Sequence, residues 1–248
     1  MNVRERLRAF GGDEGFTLVE MLVSILLVGM LGAILSATIV AADRSATGSV
    51  ADHDRTEEGR LAMNRVSREL RQAVRLDRVV NPFGTGYDPA AITAVTFGAD
   101  FNGDGCINGV APTPMPTPPI TCVPNNAADP EQISYCHEPA GLVAVPRLYV
   151  KAGPLADTLT SCSGGQPILA EQVSTFAIEY RSNEYRLDAD GDGMTTWEEL
   201  DAGVPPYGNQ NGDIDMELDH ISSVVVRMDL GDGAGRELRT QLALRNRT

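Results

Sequence analysis

An apolar run of 27 residues, from Phe16 to Ala42, is interrupted by one charged residue, Glu20. As a helix rising about 1.5 Å per residue, the run would reach about 40 Å, more than the roughly 30 Å hydrocarbon core of a bilayer. It is also longer than the apolar region of a secretory signal peptide, which spans about 7–15 residues. Because Arg4, Arg6 and Arg8 precede it, we predict a cytoplasmic N-terminus and an exported remainder.

The helix is predicted to continue beyond the apolar run as an amphipathic second half over residues 43–80. There is no proline between Ser49 and Val80, and apolar residues recur at spacings of four or five with arginines between them. These apolar residues are Leu61, Val66, Leu70 and Val74. Asn81-Pro82 would then end the helix, because proline lacks an amide hydrogen and disfavours helix in the residue before it.

After Pro82 the sequence changes to short runs typical of strands, separated by turn residues. The predicted strands are 92–97, 132–136, 147–150, 173–180, 221–230 and 238–245. The last two flank the glycine-rich segment 231–235, which predicts an antiparallel hairpin. The sequence therefore predicts a β-rich exported head over residues 81–248, after the long N-terminal helix.

Charge and composition exclude several classes of function. The formal net charge of −14 argues against a nucleic-acid partner, whose binding depends on neutralising phosphates. The only lysine, Lys151, lies outside any G-K-[ST] context, which excludes a P-loop ATPase. No G-x-S-x-G motif occurs and the three histidines are far apart, so the sequence predicts a protein that is not an enzyme.

The start of the apolar run carries a specific motif, Glu14-Gly15-Phe16-Thr17-Leu18-Val19-Glu20. A carboxylate five residues into a membrane helix costs about 2.5–3.5 kcal/mol, so it normally has a partner. The segment resembles the N-terminus of type IV prepilins, shared by pilins and the pseudopilins of type II secretion. The resemblance implies cleavage by a prepilin peptidase after Gly15, which makes residues 1–15 the leader. It also implies methylation of Phe16 and neutralisation of a neighbouring subunit's terminal amine by Glu20.

The resemblance extends to segments beyond the motif. Residues 70–73 (Leu-Arg-Gln-Ala), 86–89 (Gly-Tyr-Asp-Pro) and 242–246 (Leu-Ala-Leu-Arg-Asn) are similar to segments of large minor pilins and of the J-type minor pseudopilin. One position differs, since Ala37 stands where many major pilins carry proline. The resemblance implies an α+β fold, in which the second half of the long N-terminal helix packs on an antiparallel β-sheet. It also implies a structural subunit of a type IV pilus or type II secretion filament, at a tip or priming position.

The same resemblance implies partners and a location. The partners are the prepilin peptidase and other pilins or pseudopilins, which the helix over residues 16–42 would contact in the filament core. The chain would span the inner (cytoplasmic) membrane once with its head exported, and would then enter a surface pilus or a periplasmic pseudopilus.

Other interpretations of the N-terminus remain open. The run could be an ordinary signal anchor, or a secretory signal cleaved after the small residues Val40-Ala41-Ala42. The competing class of protein is a membrane-anchored or secreted calcium-dependent binding module that forms no filament.

The segment from Asp188 to Glu199 matches the twelve-residue EF-hand loop, and it lies in an acidic stretch, residues 184–219, with eleven acids and one arginine. The loop has acids at positions 1, 3 and 5, Gly193 at position 6 and a glutamate at position 12. The predicted Ca²⁺ ligands are Asp188, Asp190, Asp192, the carbonyl of Met194, Thr196 directly or through water, and bidentate Glu199. Thr195 at position 8 and a strand-like approach to the loop indicate a lone, weak site, and a solvated acidic turn is the alternative.

Two other segments resemble this loop less closely. Residues 100–111 begin with the same Asx pattern, but Ala111 replaces the terminal acid. Residues 209–219 are acidic but lack the glycine at position 6. Each could equally be an Asx-rich turn, although Asp213, Asp215 or Glu217 could add ligands to the main site.

Four cysteines lie in the predicted exported half: Cys106, Cys122, Cys136 and Cys162. In an oxidising compartment an even count predicts two disulfides, for which three pairings are possible. Proximity along the chain favours the pairs 106–122 and 136–162.

Overall fold

The computed structural model describes residues 16–101, 103, 106–107, 122, 131–155, 159–162, 168–231 and 236–244. The chain divides into two compact units, residues 1–52 and 53–248. In the first unit the described residues from Leu18 onward form the start of one helix, α1 (Leu18–Arg71), and all of them are exposed. This helix reaches a mean hydropathy of 2.5 and is long and apolar enough to cross a membrane.

The second unit holds two antiparallel sheets. The first has the strand order β1-β2-β3-β4-β5, and the second has the order β7-β6-β8-β9. The strands of the first sheet are β1 (Arg75–Val80), β2 (Thr93–Gly98), β3 (Gln132–Glu138), β4 (Arg147–Ala152) and β5 (Ile168–Glu171). Those of the second are β6 (Val173–Ser182), β7 (Thr195–Thr196), β8 (Ser223–Leu230) and β9 (Arg236–Ala243).

Three short helices are described between β6 and β8. A 3-10 turn, Tyr185–Leu187, follows β6, and the five-residue helix α2 (Trp197–Asp201) follows β7. A 3-10 helix, Met216–His220, precedes β8. These helices and the loops between them contain the acidic stretch.

The second half of α1 packs its apolar face on the sheets. Ala62, Met63, Val66 and Leu70 are at most 7% exposed and share one core with residues of both sheets. Full burial of a large apolar side chain is worth about 1.5–3 kcal/mol, so this face is a main attachment of the helix. Gly59 allows a close approach, because a Cβ there would lie 2.2 Å from the side chain of Leu230.

The predicted extent of the helix, to Val80, is wrong. The last turn closes with hydrogen bonds from Gln72 N to Glu69 O and from Ala73 N to Leu70 O, each three residues back. Val74 N then donates to Gly98 O, next to the antiparallel pairing of β1 with β2. Sheet pairing therefore replaces the helical hydrogen bonds at Val74, eight residues before the proline that we expected to end the helix.

The α+β class and the six predicted strands are confirmed, with their ends shifted by a few residues. The final hairpin is confirmed as well, since β8 and β9 pair antiparallel from Ser223–Ala243 to Leu230–Arg236. The sequence analysis missed β1, β5 and β7, which complete the two sheets.

Two disulfides join the four cysteines as chain proximity favoured. Cys106 pairs with Cys122, and Cys136 pairs with Cys162. The second bond attaches the segment before β5 to the central strand β3, next to Tyr149 and Ile92 in a small apolar cluster.

Candidate functional site

The N-terminal end of α1 carries the predicted assembly residues. Gly15 lies outside the described residues. Thr17 caps the helix, accepting a hydrogen bond at its Oγ1 from the Glu20 amide at 3.2 Å. The Glu20 carboxylate is exposed in the first turn, where the helix dipole favours a negative charge.

The surface around Glu20 is apolar and exposed. Phe16 is 71% exposed, and the large apolar side chains that follow in the run are at least half exposed. A surface of this kind requires either lipid or other apolar helices around it. A carboxylate on such a surface would be transferred away from water together with its apolar neighbours.

The acidic loop is folded around its first residue. The carboxylate of Asp188 accepts hydrogen bonds from Gly191 N at 2.7 Å and from Gly193 N at 2.9 Å. Both glycines have positive φ, +77° and +85°, a conformation that side chains disfavour. Desolvation would raise the pKa of Asp188, but the hydrogen bonds from Gly193 and Gly191 outweigh it and hold this pKa below its ordinary value.

The three aspartates of the loop converge. Asp188, Asp190 and Asp192 each present a carboxylate oxygen such that all three oxygens lie within 4.8 Å of one another. Asp190 and Asp192 also accept the amides two residues onward, so their side chains are fixed toward the loop. Three converging carboxylates fit a hard cation with oxygen ligands, such as Ca²⁺.

The end of the loop is fixed by the short helix α2. Thr196 is its N-cap and forms a capping box with Glu199, each side chain bonding the other's backbone amide. Glu199 Oε1 also accepts Ala189 N at 2.8 Å, which brings position 12 back to the start of the loop. The Met194 side chain lies against the Arg181 guanidinium. The predicted ligands are thus held in one loop, although a bidentate Glu199 would have to exchange some of these hydrogen bonds.

The two weaker segments differ in how much of them is described. In residues 100–111, Asp100 accepts a hydrogen bond from Gly103 N at 2.7 Å, and most of the segment lies outside the described residues. In residues 209–219 a more extensive network is present. Asp215 accepts hydrogen bonds from the side-chain amides of Asn209 and Asn211, at 3.0–3.3 Å.

Sequence reasoning missed Asp201, at the end of α2. It is 8% exposed, and its two carboxylate oxygens accept the amides of Asn211 and Gly212, at 3.1 and 3.0 Å. The residue therefore attaches the 209–219 segment to the helix that closes the Asp188 loop. Its position two residues after Glu199 places it near the predicted loop, which the sequence alone could have indicated. Its burial, however, depends on residues ten positions onward.

Comparison with known proteins agrees with the N-terminal motif. Residues 12–36 match the family described as "Prokaryotic N-terminal methylation motif". The match covers Gly15, Phe16 and Glu20, and it is consistent with the type IV pilin-like family. Among curated proteins, no significant match to this chain was found. The chain therefore combines an N-terminal methylation motif, an exposed apolar helix and an antiparallel β-rich head.

Proposed function

We propose that this chain is a minor pilin or pseudopilin, a structural subunit of a type IV pilus or type II secretion filament. The observation that carries the proposal is the methylation motif at residues 12–36, at the start of an exposed apolar helix. A prepilin peptidase would cut after Gly15 and methylate Phe16. The chain would first stand in the inner membrane with its head exported and then enter the filament.

Within the filament, the apolar half of α1 would pack against the same part of other subunits. The Glu20 carboxylate would then leave water, and the terminal amine of a neighbouring subunit is the group that neutralises it. Removing one member of a buried pair leaves an uncompensated charge, which costs about 3–5 kcal/mol.

The experiment is Glu20→Ala in the full chain, beside Glu57→Ala as a matched control. Glu57 is an exposed glutamate on the same helix, in a surface ion pair with Arg60. We expect Glu20→Ala to be processed like the wild type and its amount in sheared filaments to fall more than about tenfold, since 1.4 kcal/mol already gives a factor of ten. Glu57→Ala should assemble normally. Normal assembly of Glu20→Ala would contradict the assembly role.

A tip or priming position is the finer part of the proposal. It rests on the resemblance to large minor pilins and on a head that carries two sheets, two disulfides and a long acidic loop region. Immunogold labelling of filaments tests it, because a tip subunit labels the ends alone, whereas a shaft subunit labels the whole length.

We also propose that the Asp188 loop binds Ca²⁺. Asp188, Asp190, Asp192 and Glu199 would provide carboxylate oxygens, and Met194 and Thr196 the remaining ligands. The convergence of the three aspartates supports this, because clustered carboxylates repel one another without a cation. Calcium would supply positive charge that orders the loop. If the wild-type chain were absent from sheared filaments while calcium binding persisted, a calcium-dependent module that forms no filament would become the better account.

A further inference from the structure

The carboxylate of Glu217 is buried and only half satisfied. The residue is 0% exposed in the 3-10 helix Met216–His220. Its Oε2 accepts the Asp215 amide at 2.9 Å, whereas no described residue donates to the buried Oε1. Among the described residues, no arginine, lysine or histidine forms an ion pair with it. A buried carboxylate requires a proton or a cation to compensate its charge.

A second carboxylate lies beside it. Desolvation and, in smaller part, the neighbouring Asp215 carboxylate raise the pKa of Glu217. Asp215 itself is exposed, and its carboxylate accepts hydrogen bonds from the side-chain amides of Asn209 and Asn211. Glu217 therefore lies beside a group of oxygen-bearing side chains that opens to solvent at Asp215.

The surrounding sequence supplies negative charge and almost no positive charge. Residues 184–219 contain eleven acids against Arg186. Two of these acids, Glu198 and Asp201, lie on the helix α2, which packs against the 3-10 helix. A hard divalent cation with oxygen ligands is the ion that matches these groups, and Ca²⁺ accepts carboxylates and Asn amide oxygens with flexible geometry.

We propose that the carboxylates of Asp215 and Glu217 form a second Ca²⁺ site, distinct from the Asp188 loop. The side-chain oxygens of Asn209 and Asn211 accept the backbone amides of Asn211 and Asp213, at 3.2 and 2.8 Å. Rotation of either side-chain amide would exchange that hydrogen bond for an oxygen ligand to the same ion. This inference depends neither on the filament role nor on calcium in the first loop.

The two calcium sites share one short helix. Glu199, at the start of α2, bonds the Asp188 loop, and Asp201, at its end, holds the amides of Asn211 and Gly212. An ion at either site therefore orders a segment attached to the same five-residue helix. Binding at one site should tighten binding at the other.

The test is isothermal titration of the full chain in detergent micelles with CaCl₂, after EDTA treatment. The variants are Glu217→Gln, Asn211→Ala and, for the first loop, Asp190→Ala. Asp219→Asn is the matched control, because it removes an exposed carboxylate from the same 3-10 helix. Circular dichroism in EDTA checks that each variant is folded.

We expect two calcium ions per wild-type chain and per Asp219→Asn chain. Glu217→Gln should lose one of them and keep the ion that Asp190→Ala loses. In EDTA, Glu217→Gln should melt no lower than the wild type, since it removes an uncompensated buried charge. Asn211→Ala should bind the same ion at least several-fold more weakly. The second site would be overturned if Glu217→Gln and Asn211→Ala bound calcium like the wild type. It would also be overturned if Asp190→Ala lost all of the calcium binding that the wild type shows.

Discussion

The hydroxyl of Tyr135 donates a hydrogen bond to the Glu69 carboxylate, with 2.5 Å between the two oxygens. Tyr135 lies on β3, the central strand of the five-stranded sheet, and Glu69 lies on the buried face of α1. Arg65 donates to the other oxygen of Glu69 at 2.9 Å. Burial, and then the Glu69 charge, raise the pKa of Tyr135, so it stays a donor at physiological pH. A polar contact thus fixes the helix on the sheet within an apolar interface.

Tyr135→Phe should destabilise the head. It leaves one oxygen of a buried carboxylate without its donor, which costs about 1–3 kcal/mol. At roughly 2–4 °C per kcal/mol for a domain of this size, the melting temperature should fall by several degrees. Thermal unfolding followed by circular dichroism measures this. Tyr207→Phe, at a half-buried tyrosine, is the control. Equal melting of Tyr135→Phe and wild type would show that the contact adds no stability.

Calcium should raise the melting temperature of the full chain in detergent micelles. Lone extracellular sites have Kd values of about 10⁻⁴–10⁻³ M, so millimolar Ca²⁺ adds about 1 kcal/mol per site, or roughly 2–4 °C. The shift is the difference between the melting temperature in 1 mM CaCl₂ and the melting temperature in EDTA. Asp190→Ala should show a smaller shift than the wild type, because it loses a ligand of the first loop.

The control for charge screening is Asp54→Ala, an exposed acid on α1 far along the sequence from the loop. Its calcium response should equal that of the wild type. If Asp190→Ala also responded like the wild type, calcium would not bind in the Asp188 loop, and an absent response in the wild type would leave that loop an acidic turn.

His137 should make stability depend on pH. It is 1% exposed on β3, and its Nε2 lies 2.7 Å from the carbonyl oxygen of Val173, at the start of β6. Burial lowers its pKa, against the raising effects of the Val173 carbonyl and the Glu138 charge. The folded state therefore favours neutral histidine, and this contribution to stability is lost as the pH falls below about 6.5, the ordinary histidine pKa.

The measurement is the free energy of unfolding between pH 7.5 and 5 for the wild type and His137→Gln. One group adds at most about 1.4 kcal/mol per pH unit to the slope. The variant should have a shallower slope below pH 6.5 and run parallel to the wild type above it. Parallel curves over the whole range would mean that His137 titrates alike in the folded and unfolded chains.

Local sequence patterns were sufficient to predict the acidic loop that begins at Asp188 and the apolar part of the long helix. The acids at 188, 190 and 192 converge because a loop with glycines at positive φ turns each one inward over a few residues. The apolar run needs no tertiary information either, since its length and composition alone require a membrane or a helix bundle.

The end of α1 could not be predicted in this way. Residues 75–80 continue an acceptable helical pattern, and no glycine or proline separates them from Arg71. The strand forms because β2 offers a partner, with Leu76 opposite Phe97 in the core. That choice depends on residues about twenty positions onward, which is information that periodicity does not contain.

The burial of Glu217 also depends on contacts with residues that are distant in the sequence. In the sequence it is one acid among many in a hydrophilic segment, and nothing local distinguishes it from Asp219. The difference arises from packing against α2 and β1, which leaves Glu217 at 0% exposure and Asp219 exposed. A pattern of charges predicts that an acidic loop exists, but only the fold decides which of its carboxylates is buried.

The mature N-terminus is the most direct measurement of the central claim. Full chain extracted from membranes of cells with an active prepilin peptidase should be examined by mass spectrometry. A structural subunit processed at the methylation motif should begin at N-methyl-Phe16, with residues 1–15 removed. A chain that still begins at Met1 would indicate an ordinary membrane anchor, and one that begins at Asp43 would indicate a cleaved secretory signal; either result would contradict the proposed function.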